Sequence, residues 1–162
     1  MKVVIAGASG FVGSYLRDNF TEHVIIQRND TQEQILQKLQ GVYIVLNLAG
    51  APILKPWNDA YKKILLSSRV GTTKKLVSAI NESDVKHFIS TSAIGVYPDD
   101  KACDESLDGY GDDFLAQLVL KWEEEANKCT KPTTILRFGV ILGEDGGALA
   151  QMLLPFKMGV GG

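Results

Sequence analysis

No stretch of this chain approaches the roughly 20 consecutive apolar residues that a membrane-spanning helix requires, so no membrane partner is expected. The first residues are basic and then apolar, but Gly7–Gly10 break the run and Arg17 and Asp18 follow at once. A secretory leader needs about 7–15 apolar residues ending in a small-residue cleavage site, and the expectation is therefore a protein of the cytoplasm. Cysteine is scarce. Cys103 and Cys129 form no CxxC and lie near no pair of histidines, which leaves a metal or thiol centre without support; both are expected as reduced thiols. His23 and His87, the two histidines, stand at the beginnings of strand-like runs and are expected to be structural or exposed. An excess of charge is missing too: the formal charge is -2 and no basic stripe occurs. Without that electrostatic footprint no nucleic-acid partner is expected, and any phosphate recognition must be local. Repeats, low-complexity segments and linkers are absent, so the expectation is one domain over 1–162.

What the chain does have is a regular alternation of periods. KVVIA (2–6), HVIIQR (23–28), VYIVLNL (42–48), KHFISTS (86–92) and TILRFGVIL (134–142) read as strands. Between them, 11–20, 30–40, 58–81 and 112–128 have helical spacing, and 148–158 reads as a closing helix. Either Asp30 or Thr31 serves as the second helix's N-cap, with Asp30 favoured. Strands with near-continuous apolar runs, each followed by a helix, indicate a parallel sheet covered on both faces. Right-handed crossovers then give an α/β, doubly wound, Rossmann-type domain, whose ligands bind at the carboxyl ends of the strands.

The opening stretch VVIAGASGFVG fits that architecture. Gly7, Ser9, Gly10, Phe11, Val12 and Gly13 belong to a GxxGxxG turn between the first strand and the first helix. Gly7 permits the tight turn, Gly10 lets backbone approach a pyrophosphate, and Gly13 lets the helix pack on the sheet. The absence of GK[ST] excludes a Walker-type loop. A dinucleotide is the expected partner. Domains that prefer NAD commonly end the second strand in an acid that takes the ribose 2′-OH. Here that strand ends Gln27-Arg28-Asn29. Arg28 suits a 2′-phosphate, because a guanidinium forks onto phosphate oxygens, so NADP(H) is expected. NAD is the rival if the Asp30 carboxylate turns onto the ribose.

GASGFVG, NLAGAP (47–52), SRVGTT (68–73), STSAIGVY (90–97), GDDFLAQLVLKWEEEA (111–126) and LRFGVILGEDGGALAQMLLPF (136–156) occur in that order. Together they resemble the atypical extended short-chain dehydrogenase/reductases described as sugar-nucleotide epimerase-related, or SulA-like cell-division inhibitor, proteins. The resemblance implies that Leu48, Ala49 and Gly50 run along the cofactor's phosphates and ribose, and that Thr91 lies near the nicotinamide. It implies a homodimer through helices 58–81 and 112–128. It also implies a further strand after the second, for which 29–41 leaves room for one helix only. That edge strand is expected to be missing, leaving the order 2-1-3-4-5. Members of the family run on for over a hundred residues into a small substrate-binding domain, which is expected to be absent here.

Reductases of this kind use Tyr-x-x-x-Lys on the helix after the SxS strand: the tyrosine gives a proton to the carbonyl that receives hydride, and the lysine lowers the tyrosine's pKa. Aligned through Trp122 and Glu123, those places fall on Leu115 and Val119, which transfer no proton. The literal match Tyr97…Lys101 contains Pro98 and an Asp pair, marks of a turn. Tyr97 corresponds to the tyrosine of the family's VYG segment, and Ser92 is the candidate serine. Tyr110 and Asp112 are a substitute acid if their loop folds back. Two functions stay open. One is an NADP-dependent oxidoreductase or epimerase-like enzyme acting on a carbonyl or sugar-nucleotide small molecule by hydride transfer. The other is a non-catalytic dinucleotide-binding redox sensor or regulatory module. From these 162 residues alone, binding without appreciable turnover is expected.

Overall fold

The computed structural model describes every residue except Lys101, Glu105, Asp108, Glu144, Asp145, Gly161 and Gly162, and the side chains of all the others but Gln151 and Leu154. Lys101, the end of the literal Tyr-x-x-x-Lys match, therefore lies outside the described residues. Five strands, β1 (Val3–Ala6), β2 (His23–Ile26), β3 (Ile44–Asn47), β4 (His87–Ala93) and β5 (Thr133–Phe138), form one parallel sheet. Its order is β2-β1-β3-β4-β5, as the spacing between the second and third strands requires. The order reverses between β1 and β3, and such a reversal opens a crevice at the strands' carboxyl ends.

The helices are α1 (Phe11–Arg17), α2 (Gln32–Lys38), α3 (Asp59–Leu66), α4 (Thr72–Asn81), α5 (Phe114–Asn127) and α6 (Gly147–Lys157). A π-helical turn, Ser67–Gly71, joins α3 to α4, so the long helix expected over 58–81 forms with one widened turn inside it. Because side chains alternate along a strand, β1 serves two cores. Val4 and Ala6 pack with Ile35 and Leu39 of α2 and Leu76, Val77 and Ile80 of α4. Val3 and Ile5 pack on the other face with Ala8, Phe20 and Ile25.

Local chemistry sets the helix starts. Thr31 accepts from the Gln34 N–H while the Gln34 side chain accepts from the Thr31 N–H, a reciprocal box that satisfies two otherwise free donors. Thr31, not Asp30, is therefore the cap of α2. Asn58 caps α3 and Asp113 caps α5 through the same kind of side-chain acceptor. β5 ends at Phe138, four residues short of the run in the sequence, because Gly139 starts the departure toward a two-residue antiparallel bridge at Leu142–Gly143.

Candidate functional site

The carboxyl ends of all five strands carry the residues of interest. After β1, Gly7 adopts φ +86°, and a Cβ there would lie 2.7 Å from the Leu48 carbonyl. Gly13 is closer still, since its Cβ would meet the Gly7 oxygen at 2.2 Å. Backbone thus packs on backbone, and the loop of Gly7–Gly13 is brought against Leu48 and Ala49 after β3. Ser9, Gly10 and Gly50 are exposed, giving a surface of nearly bare main chain. Gly10 precedes α1 without a side chain to cap it, and first-turn N–H groups have no acceptor within the helix. Val12 lies half-buried in that first turn. The Phe11 ring turns elsewhere: Cβ atoms built on Gly143, Gly146 and Gly147 would fall 2.3, 2.7 and 2.9 Å from it. Glycines there admit the ring, which ties α1 to the segment leading into α6.

At the end of β3, Asn47 is fully buried. Its amide donates to Thr73 Oγ1 at 2.9 Å, and its oxygen accepts from the Ala49 N–H at 3.2 Å, which folds the chain into the Leu48–Gly50 turn. Thr73 Oγ1 also accepts from the Trp122 indole at 2.9 Å. Thr91 is buried, its hydroxyl donating to the Asn47 carbonyl at 2.9 Å, so it locks the ends of β3 and β4 together. Arg69, on the π-helical turn, donates to the Ala51 carbonyl at 3.0 Å and lies over the Trp122 ring beneath Gly50. Burial pulls its guanidinium below the ordinary arginine value.

At the end of β2 the chain turns over Gln27–Asp30, where the Asp30 N–H donates to the Gln27 carbonyl at 3.2 Å. Arg28 and Asn29 occupy the centre of the turn and are exposed, whereas Asp30 is buried. Burial would raise the Asp30 carboxyl, but the Lys38 ammonium and the Gln27 amide outweigh it and hold the group below the usual aspartate range.

β4 and β5 contribute a polar cluster. Ser92 is buried and donates to the Glu123 carboxylate on α5. Arg137 of β5 grips the same carboxylate through Nε and Nη2, both at 2.8 Å. Its Nη1 donates to the Tyr97 hydroxyl oxygen at 2.8 Å, and its Nη2 reaches the Tyr110 hydroxyl at 3.4 Å. Burial would raise the Glu123 carboxyl, but the hydrogen bonds from Arg137 and Ser92 overcome it and set the group low; Glu123 in turn raises Arg137 above its ordinary value. Ser92 and Tyr97 are thus joined through a carboxylate and a guanidinium. With Oη accepting from Arg137, the Tyr97 O–H is left to donate elsewhere.

Sequence reasoning missed Thr73, Glu123 and Arg137, and it took Asn47 as part of the cofactor-bordering segment without its buried hydrogen-bonding role. Glu123 carried a signal: it follows Leu115 and Val119 at intervals of four, so a carboxylate falls on the helix face that is otherwise apolar. Among the described residues no group of three metal-ligating side chains comes together, and no helix is long and apolar enough to cross a membrane.

The parallel sheet, its switch point and the glycine loop beside it define a Rossmann-type α/β domain. Residues 3–113 match the NAD dependent epimerase/dehydratase family, and the chain belongs to it. The epimerase family protein SDR39U1 of Mus musculus is 35% identical over 181 residues, covering 100% of this chain and 62% of that protein. Its chloroplastic homolog in Arabidopsis thaliana is 34% identical over 192 residues, covering 100% and 55%. Among solved structures, human SDR39U1 (isoform 2) with NADPH superposes with a TM-score of 0.83 at 30% identity, covering 100% of this chain and 61% of that one. A UDP-glucuronic acid 4-epimerase from Bacillus cereus, in complex with NAD, shares the fold at 17% identity and a TM-score of 0.79, over 98% and 63%. The chain thus spans about 62% or less of the length of the curated relatives named here. The epimerase resemblance is correct, while the cell-division-inhibitor description gains no support from these relatives.

Proposed function

We propose that the chain is the NADP(H)-binding domain of an oxidoreductase or epimerase-like enzyme that acts on a carbonyl or sugar-nucleotide substrate by hydride transfer. One observation carries the reading: bare backbone at Gly7–Gly13 lies against the Leu48–Gly50 turn at the switch point of a parallel sheet. A Cβ at Gly10 would meet the Gly7 oxygen at 3.3 Å and is otherwise unobstructed, so the loop leaves room for a pyrophosphate, and the residues present fit the group. The loop from Gly7 through Ser9, Gly10, Phe11, Val12 and Gly13 would hold the pyrophosphate through its main chain. Arg28 would hold the 2′-phosphate, and Leu48, Ala49 and Gly50 would border the ribose. Thr91 keeps that border in place. The bound nucleotide supplies or accepts the hydride.

Tyr97 is the proton donor of this reading. Its hydroxyl oxygen accepts from Arg137, which leaves its O–H to donate to another acceptor. As the proton leaves, the guanidinium at 2.8 Å faces the developing phenolate. Ser92 acts behind it by fixing Glu123, which fixes Arg137. NADPH in the human relative's structure supports the choice of nucleotide. The same proposal covers a single domain over 1–162, and a homodimer through 58–81 and 112–128, where Ile64 is half exposed.

A specific observation favours the regulatory module as a second reading. Val119, at the place of the family's lysine, is buried and apolar. Calorimetric titration with NADPH and NADH, on wild type and Arg28→Ala, tests the binding claim. Tighter NADPH binding that Arg28→Ala selectively removes is the expected result, and no binding of either nucleotide overturns it. NADPH oxidation with a panel of small carbonyls then separates enzyme from module.

A further inference from the structure

In a dinucleotide domain, a carboxylate at the end of the second strand takes the ribose 2′-OH and repels a 2′-phosphate. Asp30 is the one carboxylate in residues 27–32. It is withdrawn from the surface. Its Oδ2 accepts from the Gln27 N–H at 2.7 Å and from Lys38 Nζ at 2.5 Å. Lys38 comes from the last turn of α2 and also donates to the Ile25 carbonyl at 3.0 Å, so its ammonium is fixed under the turn by β2 itself. With the carboxylate below, the turn presents Arg28 and Asn29 above, both exposed.

We infer that Lys38 is a specificity-determining residue: by holding Asp30 beneath the Gln27–Asp30 turn, it removes the carboxylate from the ribose 2′ position and leaves Arg28 to face a 2′-phosphate there. The inference rests on the dinucleotide reading above. Lys38 itself touches no nucleotide in this account. A carboxylate left buried without its cation is costly, so without Lys38 the Asp30 side chain turns out to water. There its charge opposes a 2′-phosphate and accepts from a 2′-hydroxyl.

The test is calorimetric titration of the full chain with NADPH and with NADH, on wild type, Lys38→Met, Asp30→Asn and the double variant, each shown to be folded by circular dichroism. Lys38→Met should lower the NADPH-to-NADH affinity ratio roughly tenfold, as expected for one like charge at short range. Asp30→Asn alone, which stands in if Lys38→Met does not fold, should keep the ratio within about threefold of wild type, and so should the double variant. An unchanged ratio in Lys38→Met overturns the inference while leaving the dinucleotide reading intact. A double variant as poor as Lys38→Met overturns it too, since Lys38 would then act on the phosphate directly. A wild type that binds neither nucleotide overturns both.

Discussion

Arg137 and Glu123 face each other between β5 and α5, joined by two parallel hydrogen bonds of 2.8 Å, and the same guanidinium carries Tyr97 on its remaining nitrogen. The fork geometry makes the pair both strong and directional. Three elements that meet at the carboxyl end of the sheet are fixed by it: α5, β5 and the segment after β4.

Glu123 is nearly buried, whereas the Arg137 side chain stays 28% exposed, so removing the carboxylate strands a charge that water reaches in part. Glu123→Ala should cost about 1–2 kcal/mol, less than for a fully buried pair because water reaches the stranded guanidinium, read as a fall of roughly 2–8 °C in melting temperature for a domain of this size. Glu123→Ala combined with Arg137→Met should recover part of that loss, because no unpaired charge remains. If Glu123→Ala melts with wild type, the cluster does not hold these elements.

Backbone contact at Gly13 predicts a sharper effect than glycine flexibility would. Gly13→Ala places a methyl 2.2 Å from the Gly7 oxygen, and overpacking of this kind costs about 1–3 kcal/mol. Nucleotide affinity should fall with it, since the loop must move. Gly71→Ala is the control. Its Cβ would find nothing nearer than 4.0 Å in a helical segment, so the substitution should stabilise by up to about 1 kcal/mol. Urea unfolding of both variants checks the contrast.

Acid sensitivity follows from two carboxyl groups held low, Asp30 and Glu123. For a group lowered on folding, the stabilisation is complete above the unfolded pKa, near 4 for carboxylates, and is lost as pH falls through the folded value. Their contribution to urea midpoints should therefore be constant from pH 7 to about 5.5 and should fall steeply below about pH 4. Glu123→Gln should flatten that fall. A variant with the same acid slope as wild type contradicts the assignment of Glu123.

Much of the fold was legible in the sequence. The strand order followed from how few residues separate Arg28 from the NLAG strand, and the glycine turn from its place between a β-branched run and a helical period. The π-helical turn at Ser67–Gly71 was not legible, because one extra residue in a turn leaves the apolar pattern of 58–81 nearly unchanged. Asp30 was misjudged as a cap for a similar reason. Asp30 and Thr31 are both good caps; the Thr31–Gln34 box, whose spacing is present in the sequence, decides for Thr31, while Lys38 from the far end of α2 draws Asp30 away. Glu123 shares a helix face with Leu115 and Val119, but its partner Arg137 lies 14 residues on in β5, and no local spacing joins the two.

The central claim is that the carboxyl ends of β1, β2 and β3 hold a dinucleotide. Its most direct test is a ¹⁵N correlation spectrum of the labelled protein, recorded as NADPH is added. The account predicts saturable shifts of the amides of Ser9–Gly13, Arg28 and Leu48–Gly50, with His23 and His87 at the opposite end of the sheet unmoved. A spectrum that does not change, or shifts that gather around His23 and His87 instead, would contradict it.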